Sequence, residues 1–189
     1  MSEPGSARKQ ELLEAAYRYV LDNGLADTSL RPLAKAIGSS PRVLLFLFGS
    51  KEGLVRALLA RAREDELGYL AELRAARGTL DDLAAAGREV WSWLAAPAHR
   101  ALLVLWVEGY ARSLLGDPGP WAEFGRDTVG DWLQLLAERQ PARRRDTRDG
   151  EAERTLLLAV LRGALLDLLA TGDADRVTRA VERHLRSPG

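Results

Sequence analysis

The sequence predicts an all-α protein of about nine helices: an N-terminal three-helix unit followed by a larger helical region. Three observations carry that prediction. Apolar residues recur at three- and four-residue spacing in segment after segment, the period of a helix that buries one face. Ser, Thr, Asp or Pro stands where such segments begin, and Gly where they end. Two of the segments are short and meet at a glycine turn. At 189 residues the chain can form one sizeable core, or a small domain fused to a larger one.

Composition narrows the chemistry. The chain has no cysteine, so disulfides and thiol catalysis are excluded. Lys+Arg and Asp+Glu number 27 each, so any affinity for nucleic acid must come from a local patch. The only histidines are His99 and His184, and there is no H-E-x-x-H, no G-x-S-x-G and no phosphate-binding glycine loop. No catalytic residue, metal site or cofactor is therefore expected. The N-terminal MSEPGSARKQ lacks the apolar core of a signal peptide, and no run approaches the roughly 20 apolar residues of a membrane span. These features predict a soluble, cytoplasmic protein that does not engage a membrane.

Residues 6–23 form the first amphipathic helix, with Leu12, Leu13, Ala16, Tyr17, Val20 and Leu21 on its apolar face and Gly24 past its end. Thr28 can cap a second, short helix carrying Leu30, Leu33, Ala34 and Ile37, which Gly38 terminates. Ser40 and Pro41 open a third over residues 41–47, which Gly49 closes, and Phe48 plugs the small core beneath. Two short helices around a glycine turn are the layout of a helix-turn-helix, whose second helix enters the DNA major groove. Residues 28–51 carry Arg31, Lys35, Arg42 and Lys51 and no acidic residue, the local sign that a phosphate backbone attracts.

The pattern from Arg8 through Leu58, with T-S-x-R-x-x-A-K-A-x-G followed by F-G-S-K-E-G-L, resembles the DNA-binding domain of the tetracycline-repressor (TetR) family of bacterial transcriptional regulators. The resemblance implies that Thr28, Ser29 and Lys51 touch phosphates and that the helix 41–47 faces the bases. With Arg31, Lys35, Ser40, Arg42 and Phe46 they make up the candidate DNA-binding residues. The chain departs from the family in that helix: it has Arg42-Val43 and Leu45-Phe46 where the family often has Gly-Thr and a tyrosine pair or Tyr-His. Leu44, Leu47 and Phe48 fall inward, and at about 100° per residue Arg42, Leu45 and Phe46 cannot all join them. Two arrangements stay open for Leu45 and Phe46. They complete a contact with the long following helix, or they face outward, where thymine methyl groups offer an apolar surface.

A long helix, capped by Ser50 and running to about residue 76, links this unit to the rest. Gly78 and Thr79 break it, and Thr79 caps the helix 79–95, with Asp81 and Asp82 placed to complement its dipole. Residues 102–115 are apolar nearly all round, which predicts a buried helix interrupted by a solvated Glu108–Arg112 pair. Pro118 and Pro120 open the next, with Trp121, Phe124, Gly125, Thr128, Trp132, Leu135 and Leu136 on one stripe. Residues 140–150 read as a mobile, charged, solvated loop. The helix 152–170 carries leucines on every face, so one side needs a second partner, and Gly172 and Asp173 lead into a last helix with Val177, Val181 and Leu185.

The domain division predicted is a helix-turn-helix domain over residues 1–49 and a ligand-binding and dimerisation domain over 50–189, joined by the helix 50–76. The expected function is a ligand-responsive, dimeric DNA-binding regulator acting as a repressor, not an enzyme. Its expected partners are a double-stranded operator with inverted repeats, a second copy joined through residues 152–187, and a hydrophobic small-molecule effector. Trp91, Trp106, Tyr110, Phe124, Thr128 and Trp132 are the candidate ligand-binding residues, because Gly125 and Thr128 leave room beside large rings. The alternative function is a helical interaction protein of the same fold that has lost sequence-specific DNA binding.

Overall fold

The computed structural model describes residues 4–25, 29–75, 82–115 and 119–186, and no strand occurs among them. The helices are α1 (Pro4–Asn23), α2 (Leu30–Ala36), α3 (Pro41–Phe48), α4 (Lys51–Ala75), α5 (Leu83–Leu94), α6 (Arg100–Ser113), α7 (Phe124–Glu138), α8 (Ala142–Arg145), α9 (Arg148–Thr171) and α10 (Ala174–Arg186). Short 3-10 turns occupy Pro97–His99 and Gly119–Trp121. The all-α expectation holds, with ten α-helices among the described residues in place of about nine.

The additional helix, α8, lies inside the segment read from sequence as a mobile loop. Two of its three arginines, Arg144 and Arg145, are bound, while Arg143 is exposed. Gln140 is buried, and its Nε2 donates to the Gly150 carbonyl at 2.8 Å and to Glu153 Oε2 at 3.3 Å. Arg145 donates to the carbonyls of Ala137, Glu138 and Gln140 at and just past the end of α7. Arg154 reaches back to Gln140 Oε1 and the Arg145 carbonyl, and Arg144 pairs with Glu153.

Local capping chemistry sets most helix ends. Ser40 Oγ accepts from the Val43 N–H at 3.3 Å, Ser50 Oγ from the Gly53 N–H at 3.0 Å and Asp173 Oδ1 from the Arg176 N–H at 3.0 Å. Asp82 is the cap of α5, its Oδ1 accepting from the N–H groups of Ala84 and Ala85. Ser29 holds the N-cap position of α2. Thr28, Gly78, Thr79, Asp81 and Pro118 lie outside the described residues.

Packing divides the chain into two compact units, Met1–Leu67 with Ala101–Gly125, and Gly68–Arg100 with Arg126–Gly189. In the first, Leu12, Ala16, Val20, Leu33, Ala34, Leu44, Phe48, Leu54 and Leu58 are buried. Tyr17 donates to Asp65 at 2.8 Å while Arg61 bridges Asp65 and Glu14, tying α1 to α4. Burial, and then the hydrogen bond to Asp65, raises the Tyr17 phenol well above its ordinary value. Two expectations for α6 are corrected here. Glu108 does not form a solvated pair with Arg112; its Oε2 accepts from the Leu25 backbone N–H at 3.1 Å, in the connection between α1 and α2. Nor is the segment buried on all sides, since Val104 is 43 % exposed and Leu114 70 %.

The second unit is organised where α5 packs on α9 and α10. Gly87 permits the approach: a Cβ there would stand 2.8 Å from Leu185 Cδ2 and 3.1 Å from Leu157 Cδ1. Val177, Val181 and Leu185 supply the buried stripe of α10. Tyr69 stacks on Trp93 at 4.0 Å between centroids, and Trp93 on His99 at 4.3 Å.

Candidate nucleic-acid interface

The α2–α3 pair is held by a hydrogen-bonded turn. Ser39 N–H donates to the Ala34 carbonyl at 2.8 Å, and Gly38 takes φ of 64°, a conformation that a side chain would strain. Leu33 and Ala34 of α2 and Leu44 and Phe48 of α3 point into the core. Lys9 of α1 lies over the Phe48 ring, 5.3 Å from its centroid. This fixes which way the opposite side of α3 faces. Arg42, Val43, Leu45 and Phe46 are exposed, and Phe46 is 86 % exposed. Of the two arrangements open from sequence, Phe46 takes the outward one, and Leu45 is 41 % exposed.

The cations of the segment are exposed as well. Ser29, Arg31, Lys35 and Lys51 are exposed with Arg42, and Ser40 is half-buried with its hydroxyl engaged as the α3 cap. Asp27 and Glu52 border the acid-free stretch in sequence, and Glu52 serves its own helix. A hydrogen bond to its own backbone, followed by one to Ser50, holds it below the usual carboxylate range. Of the eight candidate DNA-binding residues, six, namely Ser29, Arg31, Lys35, Arg42, Phe46 and Lys51, are exposed. Ser40 is committed to its cap, and Thr28 is not among the described residues. The exposure of Val43 was not anticipated; the facing of so short a helix follows only once its buried pair is known.

The six candidate ligand residues divide between the two units. In the first, Trp106 and Phe124 are buried and Tyr110 half-buried, and the Phe124 ring lies against Gly109, where a Cβ would come within 2.8 Å of it. The room expected beside Gly125 is taken by Ser113 and Tyr110. In the second, Thr128 and Trp132 are buried, and Trp132 stands 6.1 Å from Tyr69 between centroids. Trp91 is also buried there, its Nε1–H donating to Thr178 Oγ1 at 3.0 Å. Sequence reasoning missed the stacked Tyr69, Trp93 and His99, because Trp93 lies off the apolar stripe of α5.

Residues 12–58 match the model of the bacterial regulatory proteins, tetR family. The chain is 32 % identical to the HTH-type transcriptional repressor AcnR of Corynebacterium diphtheriae, an alignment covering 96 % of this chain and 93 % of that protein. Among solved structures it is similar to a transcriptional regulator from Rhodococcus sp. Rha1, with a TM-score of 0.76, 22 % identity, and coverage of 94 % of this chain and 93 % of that one. It is also similar to the multidrug binding protein EbrR complexed with proflavin, with a TM-score of 0.65, 25 % identity, and coverage of 94 % and 99 %.

Proposed function

This chain belongs to the TetR family of bacterial transcriptional regulators, which bind DNA and are not enzymes, and on that footing we propose that it is a homodimeric repressor released from its operator by a hydrophobic small molecule. The observation that carries the DNA-binding part is the exposed set Arg31, Lys35, Arg42 and Lys51 on a segment with no acidic residue from 29 to 51. Residues 1–49 are the reader in this proposal, the helix 50–76 is its link, and 50–189 hold the ligand and dimer surfaces.

Gel-shift titration against duplexes selected from a random pool tests the reader. Affinity should fall with salt at a log–log slope near about −0.9 for each phosphate neutralised. Lys51→Ala should weaken all sequences alike and flatten that slope by about one, whereas Arg42→Ala should cost about 1–3 kcal/mol and change which sequences are preferred. Binding that ignores salt and both substitutions would end the proposal.

Dimerisation is supported by the outer face of α9. Ala152, Leu156, Ala159, Gly163, Leu166 and Ala170 are all exposed, at alternating four- and three-residue spacing. Such a stripe is the seam of a helix that packs against a parallel or antiparallel copy, with small residues letting the backbones approach. Two copies joined through residues 152–187 would present two readers to an inverted repeat, with half-sites about 34–36 Å apart.

The effector is proposed to be hydrophobic and aromatic, because the buried rings Trp91, Trp106, Phe124 and Trp132 favour planar aromatic surfaces, and proflavin, with which EbrR is complexed, is a planar aromatic. To release DNA it must bind the DNA-free arrangement more tightly than the bound one. Compounds of this class should quench tryptophan emission and release the operator at the same concentrations. Trp106→Leu and Trp132→Leu variants that fold and respond with unchanged affinity would move the site elsewhere.

A further inference from the structure

We propose that the operator is read mainly through thymine methyl groups, by Phe46 and Val43, with Arg42 making the one hydrogen-bonded contact to a base edge. The proposal rests on the reading of α3 as the helix that faces DNA. Leu44 and Phe48 are buried a turn apart, so at about 100° per residue Phe46 projects from the side opposite them, with Arg42 and Val43 flanking it. The exposures agree, 86 % for Phe46 and 39 % for Val43.

The polar inventory of this helix is small. Among Pro41 to Phe48 only Arg42 carries a hydrogen-bonding side chain, and the Ser40 hydroxyl before it is spent on the cap. In the major groove every base pair shows donors and acceptors, and the sole apolar group is the thymine 5-methyl. A phenyl ring laid over base donors and acceptors would strip them of water without replacing the hydrogen bonds, which is unfavourable; over a methyl it loses nothing. The partner is an anion because Arg31, Lys35, Arg42 and Lys51 are exposed on residues 29–51, a stretch with no acid. Arg42 matches guanine, whose O6 and N7 accept its paired donors. Residues four apart on a helix have Cβ atoms about 5–6 Å apart, so that guanine and the thymine met by Phe46 fall within one or two base steps.

The test begins with a duplex selected from a random pool, in which each thymine is replaced in turn by deoxyuridine, removing only the methyl. At one or more thymines within two steps of a guanine, affinity should fall about fourfold, the effect of one buried carbon. Phe46→Ala should lose the penalty at one or more of those thymines, any that remains being the one met by Val43, and should melt with the wild type, its ring being outside the core. Equal binding of every uracil duplex by the wild type overturns methyl readout while leaving DNA binding intact. A uracil penalty that persists undiminished at every one of those thymines in Phe46→Ala overturns the role of Phe46. If no duplex is enriched, both readings fall and the apolar face belongs to a protein partner.

Discussion

Gly53→Ala should lower the melting temperature by about 6–12 °C, the shift expected for about 3 kcal/mol in a domain of this size. A Cβ at residue 53 would run into the carbonyl oxygen of Phe48, well inside the 3.0 Å that real Cβ atoms keep. The obstacle is backbone, so no rotamer change relieves it. Either α4 must shift from its Ser50 cap or α3 must move, and α3 is anchored by Leu44 and Phe48 in the core. Operator binding should weaken together with stability, since the helix that bears Arg42 and Phe46 would be displaced. Gly68→Ala, in the same helix with nothing within 4 Å of its added carbon, should instead stabilise by about 0.5–1 kcal/mol. Thermal unfolding of the two variants side by side separates steric clash from helix propensity. Equal melting of both variants would refute the close approach at Gly53.

Leu156→Glu combined with Leu166→Glu should convert a dimer to a monomer and reduce operator affinity by about 100-fold or more. Both leucines are exposed on α9, 57 % and 51 %, so the folded protomer loses little when they are replaced. What is lost is the second reader, whose binding follows from the first at high local concentration only while the two are joined. Sedimentation should show halved mass and circular dichroism an unchanged helix content. A wild type that sediments as a monomer at micromolar concentration, or a double variant that remains dimeric, would place the seam elsewhere.

Where a helix begins or ends was legible when the cause is local. Ser40 with Pro41, Gly49, Gly172 and Asp173 punctuate the chain as their chemistry dictates, because a cap needs only its own next three residues. Non-local partners were not legible. Arg144 and Arg145 read as solvated, yet carbonyls and a carboxylate that take them up lie on α7 and α9. Glu108 has a cation four residues on and still takes the Leu25 N–H, 83 residues away. The candidate DNA face was half legible: its charge could be counted, but the outward turn of Phe46 had to await knowledge of which α3 residues are buried. For the ligand residues, aromatic spacing located the rings and overlooked that Ser113 and Tyr110 fill the gap beside Gly125.

The bond from Glu108 to Leu25 also orders events during synthesis. Leu25 leaves the ribosome before Glu108, so the carboxylate that satisfies its buried amide is made 83 residues later. At about 5–20 residues per second that interval is roughly 4–17 s. Throughout it, residues up to Leu67 lack Ala101–Gly125, the other part of their compact unit, and the Leu25 amide has no carboxylate to meet it. The same dependence governs any attempt to transplant the reader onto another protein. A graft that ends at residue 67 leaves behind Ala101–Gly125, so a working chimera has to carry both segments.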